Sequence, residues 1–445
     1  MIMKRTFIYL ALAASVFCAC QKENIEPAGS PAAEVPEFYA LMEGGEEDTK
    51  IHLGEYEGKY RVLWDGYNDL VAMCAGIDAS SKYRVKRATA NTPAAELYAE
   101  KDTDVATEGN AIPDNVAYYP YPNSEALGDV KVTQNEDGSY TVPGAFSDAQ
   151  TYLAGSIPSR AFPIVAVSNG LDDNSLNFKN VAGGICFNVK GGAKIKKLTF
   201  KSNEADKVIA GAADIKVSNT DIETSVPTYE FTGSSKSITL NSTPAVVTGL
   251  NEATPFYIGV APQEFPDGFS VTVEDSDGFG RTYSTSKARE VERSTILNMP
   301  PVQFPVKEFD LTSSYSFGGG ATYDSETQYF EITGTSNRYM DFNIDPDEID
   351  LSKCKGIGLI TDDCNFNISF QFLKKGSYST VSHTWACGSP GTVTQRYVKK
   401  YDFPAEFYDM LETLDAPIWK IRISINGSVI GEGNPKIHLL RFIIY

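Results

Sequence analysis

Two cysteines that stand two residues apart, Cys18 and Cys20, are the first side chains in the sequence that could do chemistry. Such a pair could hold a metal ion or cycle between thiols and a disulfide. The pair lies at the end of an apolar run, residues 7–19, which follows the cations Lys4 and Arg5. A positive start and a short apolar core that ends in small residues are typical of a secretory signal. The run is too short to cross a membrane, which takes roughly 20 residues. A metal or redox site within it would therefore leave with the signal.

The residues around Cys20 resemble a bacterial lipobox, in which a small residue precedes a cysteine that receives lipid. Ala19 fits that pattern, whereas Phe17 stands where leucine is usual. The polar Gln21-Lys22-Glu23 resembles the export tags of surface lipoproteins of Gram-negative anaerobes. The resemblance implies a surface-exposed place on the cell outer membrane, with a signal peptide over residues 1–19, a lipid on Cys20 and a Pro/Ala/Gly/Glu-rich tether over residues 20–48.

Catalytic signatures are absent from the rest of the sequence. The three histidines, His52, His383 and His438, do not have the spacing of metal ligands. No nucleophile elbow, zinc-protease motif or phosphate-binding loop occurs. Neighbouring acids such as Asp362-Asp363 could serve as a glycosidase pair, but a chain with 58 acids contains such pairs by chance. The sequence predicts a protein without catalytic activity or cofactor.

Two groups of acids could still hold a structural calcium ion. The stretch EDSDGFG, residues 274–280, contains part of a calcium loop, although Val273 stands where another oxygen ligand would be needed. The alternative is a glycine-rich hairpin tip. The second group comprises Asp345, Asp347 and Asp350.

The five remaining cysteines are scattered, and their odd number and loose spacing argue against a disulfide framework. Cys186 lies in an apolar run and is expected to be a buried thiol. In the C-terminal third, the sequence is compatible with one disulfide among Cys354, Cys364 and Cys387.

Charge and composition limit the partners. Lys and Arg number 39 against 58 Asp and Glu, which gives a net charge of −19. Nucleic-acid affinity depends on cations that neutralise phosphates, so no nucleic-acid partner is expected. With 42% hydrophobic residues, the chain can build a core.

The pattern of the chain is all-β. Residues 269–275 (FSVTVED) alternate between apolar and polar, then turn through Gly278 and Gly280 into a second run, which predicts a hairpin. A short helix is expected near residues 404–414, because Phe407, Met410, Leu411 and Leu414 are spaced for one helical face and Pro404 suits its first position. Prolines at 300–306 mark a domain boundary.

Residues 48–303 resemble the fimbrillin-like family of surface lipoproteins and pilus subunits. The motifs that carry the resemblance keep the family's order. The resemblance implies two consecutive β-sandwich subdomains, over residues 49–168 and 169–303. Trp64, a large aromatic residue beside a turn, is expected to be a core anchor. The motifs are Thr49 to Leu53, Val62 to Asp69, Tyr118 to Tyr121, Phe162 to Ala166, Asn177 to Gly184 and Ile209 to Gly211.

Residues 304–445 resemble jelly-roll modules of the galactose-binding or carbohydrate-binding type. The resemblance is carried by residues 331–345, 349–361 and 399–407 and by the closing strand GNPKIHLLRFIIY. In such a module, exposed aromatic rings stack on sugars. The candidate ligand-binding residues are Trp385, Tyr397, Tyr401 and Arg338, the last beside Tyr339. Trp385 could instead be a core residue, since it shares a strand face with Val381 and His383, and Trp419 could be either.

These features predict a surface-anchored lipoprotein for adhesion, fimbria-associated or anchor-type. The expected partners are the outer membrane, other fimbrial subunits, and a host surface or glycan. Pilus subunits of the family polymerise by strand donation after an arginine-specific cut. Here the first arginine after Cys20 is Arg61, which favours an anchor over a shaft subunit. The alternative is a glycan-binding lipoprotein that uses its C-terminal module.

Overall fold

The all-β fold class is confirmed, because strands build almost the whole of the described chain. The structure is a computed structural model. One α-helix, α1 (Ala405–Thr413), lies among the described residues. These residues are 38–42, 52–56, 59–64, 69–86, 94–99, 101–122, 126–158, 160–218, 225–312, 315–318, 321–324, 326–332, 339–376, 380–386, 397–425 and 433–445.

Seven of the first twelve strands close into a barrel, where the sequence suggested two facing sheets. Their order is β1-β12-β11-β7-β4-β5-β6, and β2 and β3 form a separate hairpin. The strands are β1 (Phe38–Met42), β2 (His52–Tyr56), β3 (Lys59–Leu63), β4 (Leu70–Ile77), β5 (Ser81–Lys86), β6 (Ala94–Ala99), β7 (Ala111–Tyr119), β8 (Thr133–Gln134), β9 (Tyr140–Phe146), β10 (Ala149–Thr151), β11 (Ile164–Val167) and β12 (Ser175–Asn180).

Trp64 is a core residue of this barrel, as predicted. Its side chain is fully buried, and its ring meets Tyr119 and Phe178 edge-on at centroid distances of 6.0 and 5.4 Å. Edge-to-face packing of this kind stabilises a core beyond the area that it buries.

Eight of the next twelve strands, together with β10, form a sandwich, which we call the middle sandwich, whereas β15 and β16 form a sheet with β8 and β9, and β19 pairs with β22. Its two sheets have the orders β10-β17-β14-β20-β21 and β18-β13-β23, and Phe187 packs between them against Phe200 and Phe269. The strands are β13 (Gly183–Lys190), β14 (Lys194–Ser202), β15 (Gly211–Val217), β16 (Thr228–Phe231), β17 (Ser237–Val247), β18 (Thr254–Val260), β19 (Gln263–Phe265), β20 (Phe269–Asp275), β21 (Gly280–Thr285), β22 (Arg289–Val291), β23 (Ile296–Asn298) and β24 (Val302–Gln303).

Strands from the two sides of residue 168 share sheets. Strand β12 pairs in parallel with β1 in the barrel, whereas β9 and β10 pair with β15 and β17. The barrel and the middle sandwich are thereby interleaved along the chain. The predicted hairpin is confirmed, because β20 pairs with β21 from Phe269–Thr285 to Glu274–Gly280.

The last eleven strands form the C-terminal sandwich. Its front sheet has the order β26-β29-β34-β31-β32 and its back sheet β27-β28-β35-β30-β33, with β25 beside β35. The strands are β25 (Lys307–Glu308), β26 (Tyr315–Gly318), β27 (Ala321–Asp324), β28 (Tyr329–Ile332), β29 (Tyr339–Asn343), β30 (Gly356–Cys364), β31 (Ile368–Lys374), β32 (Thr380–Ala386), β33 (Tyr397–Asp402), β34 (Ile418–Ile425) and β35 (Lys436–Ile444).

The predicted helix is present as α1, and it caps the core of the C-terminal sandwich. Phe407 is fully buried against Phe372 and Phe403, at centroid distances of 5.0 and 4.2 Å. Pro404 occupies the N-cap, one position before the predicted one. Its fixed φ suits either place, since neither needs a backbone N–H donor.

Four described cysteines, Cys74, Cys186, Cys354 and Cys364, are free and buried. The structure therefore contains no disulfide between Cys354 and Cys364. Cys387, the third cysteine considered for a disulfide, lies outside the described residues. Burial raises the pKa of the Cys364 thiol to about 12. These thiols are packed hydrophobes with little thiolate at neutral pH.

The turn between β20 and β21 joins the middle sandwich to the C-terminal sandwich. Phe279 in this turn is fully buried, and its ring packs on Tyr445 at a centroid distance of 5.6 Å. A Cβ on Gly358 would lie only 2.3 Å from the Phe279 ring, so the ring rests on a position where only glycine fits.

The two acids of the same turn bind an arginine of the C-terminal sandwich. Arg441 Nη1 donates to Asp275 Oδ2 at 2.6 Å and to Asp277 Oδ2 at 2.7 Å. Its Nη2 donates to Glu308 at 3.0 Å. Asp275 Oδ1 also accepts the backbone N–H groups of Asp277 and Phe279. The acids of the EDSDGFG stretch thus form a hairpin tip whose counter-charge is an arginine.

We expect Arg441→Ala to destabilise the fold in a pH-dependent way. Asp275 is fully buried, and this burial raises its pKa above 3.8 despite the lowering effect of Arg441. A raised native pKa means that stability falls as the pH rises through the interval from the unfolded to the native value. Loss of Arg441 raises the native pKa further and widens that interval.

The expected loss in unfolding free energy is about 3–5 kcal/mol at pH 7, and clearly less at pH 5. Urea denaturation of wild type and variant at both pH values measures it. Arg289→Ala is the matched control, because Arg289 has no ion pair with any described residue. Equal losses at the two pH values would contradict the prediction.

Candidate functional site

The outward face of the front sheet carries a strip of polar and aromatic side chains. On β29 and β34, alternate residues such as Met340 and Ile421 enter the core, which leaves the residues between them on the outer face. We define the outer strip as Tyr339, Asp341, Gln371, Lys420, Arg422 and the bulge residue Trp419, which are all in or beside adjacent strands.

An ion pair fixes the centre of the outer strip. Arg422 donates from Nε to Asp341 Oδ1 at 2.7 Å and from Nη2 to Oδ2 at 3.0 Å. Lys420 Nζ lies 3.7 Å from the same carboxylate. The Asp341 side chain is only 4% exposed, so two cations share one buried acid. The strip therefore keeps one net positive charge in a fixed position.

Aromatic rings stand at both ends of this cluster. The guanidinium carbon of Arg422 is 3.4 Å from the centre of the Tyr339 ring, and Lys420 Nζ is 4.5 Å from the centre of the Trp419 ring. Cation–π contacts of this kind hold both partners in place.

A β-bulge gives Trp419 its position. The pairing of β31 with β34 shifts between Leu373–Lys420 and Lys374–Ile418, which makes Trp419 the extra residue. A bulge re-aims a side chain relative to the regular alternation. Trp419 is half-buried and lines a shallow depression of about 390 Å³ together with Lys307, Asn343 and Lys375.

Three of the four sequence-predicted ligand residues lie on described strands of two different sheets. Trp385 lies on β32 of the front sheet, opposite Phe370 in register, and its side chain is outside the described part. Tyr397 and Tyr401 lie on β33 of the back sheet. The Tyr401 ring packs edge-on against Phe370 at 5.5 Å, so it takes part in core packing. Arg338 lies outside the described residues.

The central residues of the outer strip, Asp341, Lys420 and Arg422, were not singled out from sequence. The alternation in YMDFN and IWKIRISI could have placed each strand's polar residues on one face. The pairing that brings Asp341 to Arg422 joins residues 81 positions apart, and nothing in either segment specifies it.

The acids considered as a chance glycosidase pair or as calcium ligands have hydrogen-bond partners in the structure. His438 Nδ1 lies 2.5 Å from Asp362, and Tyr329 donates to Asp363 at 2.9 Å. Asp345 accepts the backbone N–H of Asp347, and Asp350 accepts that of Ser352. Within the described ranges, no group of three or more His, Cys, Asp or Glu is placed to hold a metal ion. No helix among the residues that the structure describes is long and apolar enough to cross a membrane.

Comparisons with known proteins give distant structural likeness. No family model matches the chain, and no curated protein does. A "putative cell adhesion protein" from Bacteroides ovatus is 13% identical, with a TM-score of 0.34 over 61% of this chain and 93% of that one. One from Bacteroides uniformis is also 13% identical, with a TM-score of 0.30 over 60% and 94%. A fimbrial protein from Bacteroides ovatus is 10% identical, with a TM-score of 0.22 over 75% and 59%. Values this low carry no argument about function.

We expect Arg422→Met to destabilise the protein by about 3–5 kcal/mol, because it leaves Asp341 buried without its main partner. The double variant Asp341→Leu/Arg422→Met should regain part of that loss, since it removes the uncompensated acid, although Lys420 loses its partner. Chemical denaturation of the single and double variants gives the two free energies. If the double variant is no more stable than Arg422→Met, the buried pair is not the cause.

Proposed function

We propose that this chain is a lipid-anchored adhesion protein of the bacterial outer surface that contacts its target through the C-terminal sandwich. The observation that carries the proposal is the outer strip. Its aromatic rings and its cation are held by an ion pair and by cation–π contacts, so few side chains would need to be ordered on binding. Pre-organised aromatic and arginine side chains are typical of binding surfaces.

The connection between the sandwiches supports an adhesive role. A protein that links a membrane to a target must transmit force through its domain boundaries. Here the boundary is held by the Arg441 contacts to Asp275 and Asp277 and by the buried Phe279 ring.

The position of Arg61 favours an anchor over a polymerising subunit. Arg61 lies in the middle of β3, opposite Gly54 of β2. A cut after Arg61 would release β1, which pairs with both β12 and β6. The same cut would fall inside the paired β2–β3 hairpin, because residues 20–48 contain no arginine where a tether could be cleaved outside the fold.

The anchor itself can be tested by metabolic labelling with a fatty-acid analogue in cells that express the full chain. We expect label on wild type and on Cys18→Ala, and none on Cys20→Ala, because only Cys20 would be retained after cleavage. Label on Cys20→Ala would rule out the proposed attachment site.

Glycan binding is the alternative function, and the composition of the outer strip favours it over a flat protein contact. Aromatic faces such as those of Tyr339 and Trp419 pack on the apolar faces of sugars, and neighbouring charged groups bind hydroxyls. This alternative still requires the lipid anchor, and it differs only in the target.

A glycan array probed with residues 21–445 tests this alternative. We expect a signal that falls at least tenfold in Tyr339→Ala and in Trp419→Ala, since each removes one ring. Tyr397→Ala, on the back sheet, is the matched control. Trp385→Ala tests the site expected from sequence. A uniformly silent array would contradict glycan binding and leave a protein target for adhesion.

A further inference from the structure

The middle sandwich has an open side where its two sheets do not meet. A groove of about 270 Å³ lies there, between β13 of one sheet and β20 and β21 of the other. Core side chains form its walls, and the segment before β24 borders it. The large apolar side chains that line the groove are Phe187, Val189, Phe269, Val271, Tyr283 and Met299.

The polar groups in these walls are already satisfied. Asn188 donates to the carbonyl of Met299 at 2.8 Å, and the Tyr283 hydroxyl donates to the carbonyl of Gln303 at 2.5 Å. The walls therefore offer a ligand little except apolar contact. An apolar cavity of about 150 Å³ stays dry and binds a ligand the size of benzene, so this groove has room for a larger apolar body.

Two cations stand at the rim of the groove. Lys287 and Arg289 both line it, and neither forms an ion pair with any described residue. The lining includes no acidic side chain, although acids outnumber bases by 58 to 39 in the chain. The local charge is thus opposite to that of the whole molecule.

We propose that this groove binds an amphipathic carboxylate, such as a medium-chain fatty acid, with its apolar part between the sheets and its carboxylate at Lys287 and Arg289. Charge complementarity selects this occupant over a neutral hydrophobe, because the free groups at the rim are both cationic. Arg289 can meet a carboxylate with two parallel hydrogen bonds. The site is separate from the outer strip and does not depend on the proposed function.

Isothermal titration calorimetry of the mature chain carrying Cys20→Ala tests the proposal. The probes are decanoate below its micelle concentration, 1-decanol and acetate. We expect one decanoate per chain, at least tenfold weaker binding of decanol, which lacks the charge, and none of acetate, which lacks the apolar part. Decanoate affinity should fall as salt is raised.

Two kinds of variant separate the head from the tail. Lys287→Gln/Arg289→Gln should reduce decanoate affinity to that of decanol and leave decanol binding unchanged. Thr285→Phe should abolish both, because Thr285 lines the groove opposite Phe269 in register. Thr282→Phe, at an exposed position of the same strand, is the control. Thermal unfolding of each variant verifies the fold.

The proposal is overturned if decanoate does not bind, if decanol binds as tightly as decanoate, or if the double glutamine variant binds decanoate like wild type. A further result would also overturn the proposal: wild type binds no fatty acid, and Thr285→Phe changes the oligomeric state. That result would assign the groove to a second copy of the chain.

Discussion

Arg441 reaches from β35 of the C-terminal sandwich into the turn of the β20–β21 hairpin, and the burial of Asp275 depends on that reach. A buried carboxylate without a cation is among the costliest groups in a fold. Asp275 also organises its own turn, because it accepts the backbone N–H groups of Asp277 and Phe279. Three features therefore depend on the pairing of Asp275 with Arg441. They are the shape of the turn, the packing of Phe279 on Gly358 and the contact between the sandwiches.

The same chemistry has a different result on the outer face of the front sheet. Asp341 is almost as buried as Asp275, yet Arg422 and Lys420 come from its own sheet and face outward. At the first site an arginine joins two bodies of structure. At the second, the acid fixes two cations that each pack on an aromatic ring, and the side chains of Lys420 and Arg422 are themselves only 12% exposed.

Local sequence patterns predicted much of the fold. Alternation at residues 269–285 gave the β20–β21 hairpin, the spacing of Phe407 and its neighbours gave α1, and a large aromatic beside a turn gave the core role of Trp64. Pairing between distant segments could not be predicted in this way. Strand β1 pairs with β12 more than a hundred residues along the chain, and that pairing makes a barrel where two facing sheets were expected. The candidate site has the same limitation, because aromatic residues alone drew attention to Trp385 and Tyr401, whereas the outer strip exists only through cross-strand register.

Strand β35 lies in the interior of the back sheet, between β28 and β30, although it follows every other strand in sequence. It also supplies Arg441, and it leads directly into Tyr445, against which Phe279 packs. Synthesis runs from the N-terminus, so the barrel and the middle sandwich can fold first, while the C-terminal sandwich waits for residues 436–444. Until then, Asp275 has no arginine and its turn is exposed to water. The order of synthesis thus makes the contact between the two sandwiches one of the last to form.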